Sequence, residues 1–174
     1  MNTLMQIRSR RCFLQAGVAG SVLLAFSGWF NQPLAAAPRG LSDGEREMLA
    51  AIAAVLLDGA LPQEAEARRQ LVARTVDGIA SAVAGLSLAT QKEIGELFGL
   101  LVHAPGRMLL AGVGRPWREA SAADVAGFLA AWRGSRFGLL RSAYAALHDL
   151  TFGAWYAQPD SWKALGYSGP PEVF

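Results

Sequence analysis

From Leu41 to Ala157 the apolar residues return every three or four positions, and no stretch alternates with period two. That spacing builds helices with one apolar face and argues against a sheet-based fold. Ser42-Asp43-Gly44-Glu45 has the form of a capping box. Met48, Leu49, Ile52, Val55 and Leu56 follow on one face until Gly59 and Pro62 end the helix. A second helix runs from about Glu64 to Ala84, with Leu71, Val72, Thr75, Ile79 and Val83 inward. Arg68, Arg69 and Arg74 form its solvated side. A third starts at Ser87 or Thr90 and carries Ile94, Leu97, Phe98, Leu101 and Val102 until Pro105 interrupts it. A short apolar segment, Met108 to Ala111, leads into a turn region over Gly112–Pro116. Ser121 to Asp124 starts a fourth helix, with Val125, Phe128, Leu129 and Trp132 as its stripe and Gly134 as its stop. The last, from about Ser135 to Ala157, has two stripes: Phe137, Leu140, Tyr144, Leu147 and Thr151, and Leu139, Ala143, Ala146 and Leu150. Apolar over most of its circumference, it is expected at the centre of the bundle. The spacing predicts an all-α fold: a small bundle of about five helices in one domain, 37–174, with an extended aromatic and Pro-rich tail from about residue 158.

Composition sharpens this at the other end of the chain. With 52% hydrophobic and 17% charged residues, the 174-residue chain is no candidate for intrinsic disorder. Its single Cys excludes a disulfide framework and Cys-rich metal modules. The net charge of +2 is unevenly placed. Arg8, Arg10 and Arg11 precede a stretch, Cys12 to Pro38, without any charge, in which Ala16 to Phe30 is an apolar run. That run is shorter than the roughly 20 residues of a spanning helix, and small residues follow at Ala35, Ala36 and Ala37. The pattern is that of a secretory signal. Ser9-Arg10-Arg11-Cys12-Phe13-Leu14-Gln15 resembles the twin-arginine export motif, S-R-R-x-F-L-K, with Gln15 in place of Lys. Arg10, Arg11, Phe13 and Leu14 carry the resemblance, which implies bidentate recognition of the arginines by receptor carboxylates. The alternative is an arginine pair on the surface of an ordinary first helix. Residues 1–36 are therefore expected to be a twin-arginine signal peptide. Pro38 disfavours a cut after Ala37, so cleavage is expected after Ala36 or Ala35, with a retained signal acting as a loose anchor as the alternative. Without Arg8, Arg10 and Arg11, 13 of the 16 basic residues face 14 acidic ones, and no basic patch argues for nucleic acid.

Catalytic motifs are missing. There is no C-x-x-C-H, H-E-x-x-H or G-x-S-x-G, and Gly112-Val113-Gly114 lacks a third glycine and a preceding strand. His148 adjoins Asp149, but Ser142, six residues earlier, falls on the opposite side of a helix. Arg141 and His148 share a face, a pairing that suits packing or a partner contact. His103 reads as a helix C-terminal cap, and Glu93 with Glu96 as a solvated face. The reading is no catalytic residue, no metal site and no site for flavin, haem, molybdopterin or a cluster. The twin-arginine route carries folded proteins, typically those already loaded with a cofactor. A chain without one is best explained on that route by a cofactor-bearing partner.

The closing segment points the same way. Trp155, Tyr156, Pro159, Trp162, Tyr167, Pro170 and Pro171 are candidate partner-binding residues, because Trp and Tyr on a rigid extended segment anchor interfaces. The alternative is a tail that folds back and closes the bundle's own core, above all through Phe152 and Trp155. Together with the export motif, Leu41-Ser42 and the pattern from Arg141-Ser142-Ala143-Tyr144 through Trp155-Tyr156, Pro159, Ser161-Trp162 and Gly166-Tyr167 to Gly169-Pro170-Pro171 resemble a known family. It is the small subunit of periplasmic flavin-dependent dehydrogenases, the group named for gluconate 2-dehydrogenase subunit 3. The resemblance implies a non-catalytic accessory subunit without a cofactor. Its partners would be a large GMC-type flavoprotein oxidising a sugar or alcohol, the twin-arginine translocase in transit, and a cytochrome c subunit of the same complex. It also implies a periplasmic location, with membrane association through the complex. Two other readings stand beside it: a free-standing periplasmic helical ligand-binding protein enclosing an apolar ligand with Trp117, Trp132 and Trp155, and a hydrolase centred on His148 and Asp149.

Overall fold

The computed structural model describes residues 40–164. Their regular structure is helical throughout: α1 (Asp43–Leu56), α2 (Ala65–Ala84), α3 (Leu88–Val102), α4 (Ala104–Leu110), a 3-10 turn (Trp117–Glu119), α5 (Ala122–Arg133), α6 (Gly138–Tyr156) and α7 (Pro159–Ala164). The all-α expectation holds, and the five long helices lie where the spacing put them. Among the described residues no helix is long and apolar enough to cross a membrane.

The helix starts are fixed by local chemistry. The backbone N–H of Ser42 donates to Glu45 Oε2 at 2.7 Å, and the Glu45 N–H donates back to Ser42 Oγ at 3.4 Å. Ser87 and Ser121 accept from the N–H groups of Thr90 and Asp124 at 3.2 and 3.1 Å. Glu64 caps α2 by accepting from Glu66 and Ala67. Those two N–H bonds hold its carboxyl below the ordinary value of 4.5. The serine caps contribute about 1 kcal/mol each.

The core is organised around the first helix. Met48, Leu49, Ile52 and Ala53 of α1 are fully buried, and α1 packs against α2, α3, α5, α6 and the 3-10 turn. Each large apolar side chain so buried contributes about 1.5–3 kcal/mol. Phe98, Leu101, Val125, Phe128 and Leu147 complete this cluster. A smaller cluster gathers Ala53, Leu57, Leu61, Val72 and Trp155. Gly59, at φ 87°, makes the turn that brings Leu61 back inside. Gly78 lets α2 and α6 meet closely: a Cβ there would stand 3.0 Å from that of Ala154.

Two expectations change, and a third is extended. The central helix is α1, not the last one. Leu147, Thr151, Ala154 and Trp155 of α6 are buried, but Leu139 is 72% exposed and the rest of its stripe only half-buried. Alanines made that helix read as apolar all round, yet each adds little transfer energy, so α6 buries one side only. The third helix ends at Val102, ahead of Pro105 as expected, and Pro105 also opens α4. His103 closes α3 by donating its N–H to Gly99 O, and its carbonyl accepts from Arg107 N to begin the next turn. Pro159 does the same for α7, so the segment expected to be extended from about residue 158 is helical as far as Ala164. A proline cannot continue a helix but is well suited to its first turn, where its missing N–H has no partner to lose.

Candidate partner surface

Steps of four residues along α6 place Tyr144, His148, Phe152 and Tyr156 in one row. With 3.6 residues per turn each step drifts by about 40° around the axis. The row therefore begins beside the core at Tyr144 and ends in the open at Tyr156, which is 49% exposed. Ring centroids are 5.8, 4.5 and 5.9 Å apart along it, with tilted planes. Stacked rings of this kind contribute about 0.5–1.5 kcal/mol per pair beyond their burial. His148 Nδ1 lies 3.0 Å from Asp149 Oδ1. A carboxylate only accepts, so Nδ1 carries the proton and the ring is held in its place in the row.

The lower end of the row is braced by α7. Trp162 Nε1 donates to Tyr156 O at 2.7 Å, and Ser161, itself buried, donates to Gln158 O at 2.7 Å. Gln158 Nε2 donates to Thr75 Oγ1 of α2 at 3.0 Å and to Ala154 O at 3.1 Å. The α6–α7 corner is thereby tied to the body of the bundle, and Tyr156 is presented from a fixed backbone.

Of the candidate partner-binding residues, Tyr156 and Pro159 are exposed and Trp162 is half-buried. Trp155 is a correction: only 4% exposed, it sits in the smaller cluster of the core, where no partner can reach it. It is one position before Tyr156, and 100° of rotation separates inside from outside. Tyr167, Pro170 and Pro171, and the export residues Arg10, Arg11, Phe13 and Leu14, lie outside the described residues. His148, read from sequence with Arg141 as suiting packing or a partner contact, lies instead in a row with Tyr144 and Phe152 at i,i+4 spacing.

Other chemistry finds little support in the geometry. Among the described residues His148 hydrogen-bonds only Asp149, and no group of three His, Cys, Asp or Glu side chains could hold a metal ion. Trp117 and Trp132 do not enclose a ligand space. Both are buried, with Nε1 donating to Leu101 O at 2.8 Å and Leu110 O at 2.9 Å, and both pack edge-on against Phe128. A cavity of about 140 Å³ lies between α1 and α5, lined by Val55, Leu56, Leu129, Arg133 and Tyr144 among others. Small-molecule sites typically need about 300–1,000 Å³. Comparison of the chain with family models, with curated proteins and with solved structures finds no match.

Proposed function

We propose that the chain is a non-catalytic accessory subunit that binds a flavin-dependent sugar or alcohol dehydrogenase and escorts it through twin-arginine export into the periplasm. The observation that carries this reading is the row Tyr144, His148, Phe152 and Tyr156, an aromatic surface held at fixed spacing. Aromatic side chains on a rigid frame make interface anchors at low entropic cost. The reading is supported by the Ser9–Gln15 motif, which supplies an export signal a signal-less partner would lack. It is supported also by the resemblance of the two chain ends to the small dehydrogenase subunits. Substrate choice then belongs to the flavoprotein. The test is co-expression with the flavoprotein encoded beside it: Arg10→Lys with Arg11→Lys should leave that enzyme in the cytoplasm, and its normal export would refute the escort role.

A further inference from the structure

Charge is divided along the helical domain. Residues 40–102 hold nine carboxylates and five basic side chains, whereas residues 103–148 hold six arginines against Glu119 and Asp124. Pairing follows the same division except at Arg118, which meets Glu47 of the first part and its neighbour Glu119, each at 3.9 Å. Arg46 meets Asp77, Arg68 meets Asp58, Arg69 meets Glu66 and Lys92 meets Glu96. Arg133, Arg136 and Arg141 are exposed and meet no carboxylate among the described residues. Arg136 lies over the Phe137 ring, 4.9 Å from its centroid, and Arg141 donates to Ser135 O at 2.7 Å.

Four well-exposed apolar side chains lie in the same stretch; Leu88, 62% exposed, lies outside it. Met108 and Leu109 near the end of α4 are 55% and 76% exposed, and Phe137 and Leu139 at the α5–α6 turn are 56% and 72% exposed. One hydrogen-bonded chain connects the two places. Trp132 Nε1 donates to Leu110 O at 2.9 Å, Ser135 N to Trp132 O at 3.2 Å, and Phe137 N to Ser135 Oγ at 3.1 Å.

We propose that this end of the domain docks on an anionic phospholipid surface, with Leu109, Phe137 and Leu139 entering the interface and Arg133, Arg136 and Arg141 at the level of the phosphates. The charge is complementary, and guanidinium groups bind phosphate oxygens in bidentate fashion. Shape favours lipid over protein. Leu109, Phe137 and Leu139 project near helix ends and none of them lines the cavity between α1 and α5, so a protein would need a matching depression for each, while fluid acyl chains close around any outline. The inference is independent of the dehydrogenase reading, because it uses neither the aromatic row nor the export motif.

The apolar run Ala16–Phe30 could hold the full chain on vesicles by itself, so the readout must be local. The full chain with Cys12→Ser would carry one environment-sensitive dye on Leu109→Cys, Leu139→Cys or, as a control on exposed α2, Ala82→Cys. With phosphatidylglycerol vesicles the emission should shift to the blue at 109 and 139 and stay unchanged at 82. It should shift less with phosphatidylcholine and revert at about 1 M salt, where screening is nearly complete. Replacing Arg133, Arg136 and Arg141 by Gln should weaken binding read at 139 by about fivefold per arginine. An equal shift at 82, or indifference to lipid charge and to the arginines, would overturn the proposal. So would unshifted emission at 109 and 139 with phosphatidylglycerol vesicles.

Discussion

Helices α1 to α3 bury their apolar stripes and join their charges in pairs; α4 to α6 leave much of both in the open. In the first region only Leu86 and Leu88, around the α2–α3 turn, are large exposed apolar residues. In the second they are Met108, Leu109, Leu110, Phe137, Leu139 and Tyr156. The first region supplies the axis of the core in α1. The second completes the core with one side of α5 and α6 and presents the other side outward. Isolated surface ion pairs add only about 0–1 kcal/mol each, so the pairing in the first region does not itself hold the fold. What differs is what each region leaves for another molecule to satisfy.

The contrast can be broken by substitution. Phe98→Ala, in the buried face of α3, should cost about 3–5 kcal/mol in chemical denaturation, against less than about 0.5 kcal/mol for Leu139→Ala. A comparable loss for Leu139→Ala would mean that α6 is buried after all. Next in size is the seam between α2 and α6. Gly78→Val should destabilise by about 1–3 kcal/mol, because its Cβ already meets that of Ala154, and Ala154→Gly in the same chain should recover part of the loss. Ser42→Ala, which removes one side of the α1 capping box, should cost about 1 kcal/mol in the same assay.

The smallest expected effect is a pH dependence in the first region. The Glu64 and Glu66 carboxyls lie below their ordinary value of 4.5, Glu64 through the backbone N–H groups of Ala67 and Glu66, Glu66 through Arg69 and Gln70. A depressed carboxyl favours the folded state above its ordinary value and loses that advantage as pH falls through its folded value. The melting-temperature gap between the unaltered chain and Glu64→Gln should therefore be present near neutral pH and close as pH falls below 4.5. A constant gap would show that the cap does not depend on ionisation.

The parts of the fold legible in sequence are those decided within one turn of chain. Ser42 with Glu45, Ser87 and Ser121 mark helix starts because their side chains satisfy N–H groups three residues on. Prolines were harder to read, since the same residue ends one helix and opens the next; at Pro105 and Pro159 only packing shows that a new helix follows. The position of α6 was not legible either, because which side of an alanine-rich helix is buried depends on partners distant in sequence. On the surface, Tyr156 and Trp155 are equivalent by composition and differ by one position in register. The arginine-rich stretch was hidden by an average: a domain near neutrality contains two parts of opposite sign.

The central claim is that the exposed end of the aromatic row on α6 meets a flavoprotein. The most direct measurement is co-purification of the chain with the flavin-dependent dehydrogenase encoded beside it, for the unaltered chain and for Tyr156→Asp, with circular dichroism confirming that both are folded. The account predicts one complex for the unaltered chain and separate elution for Tyr156→Asp. Elution of the unaltered chain alone, or a complex indifferent to Tyr156→Asp, would contradict it.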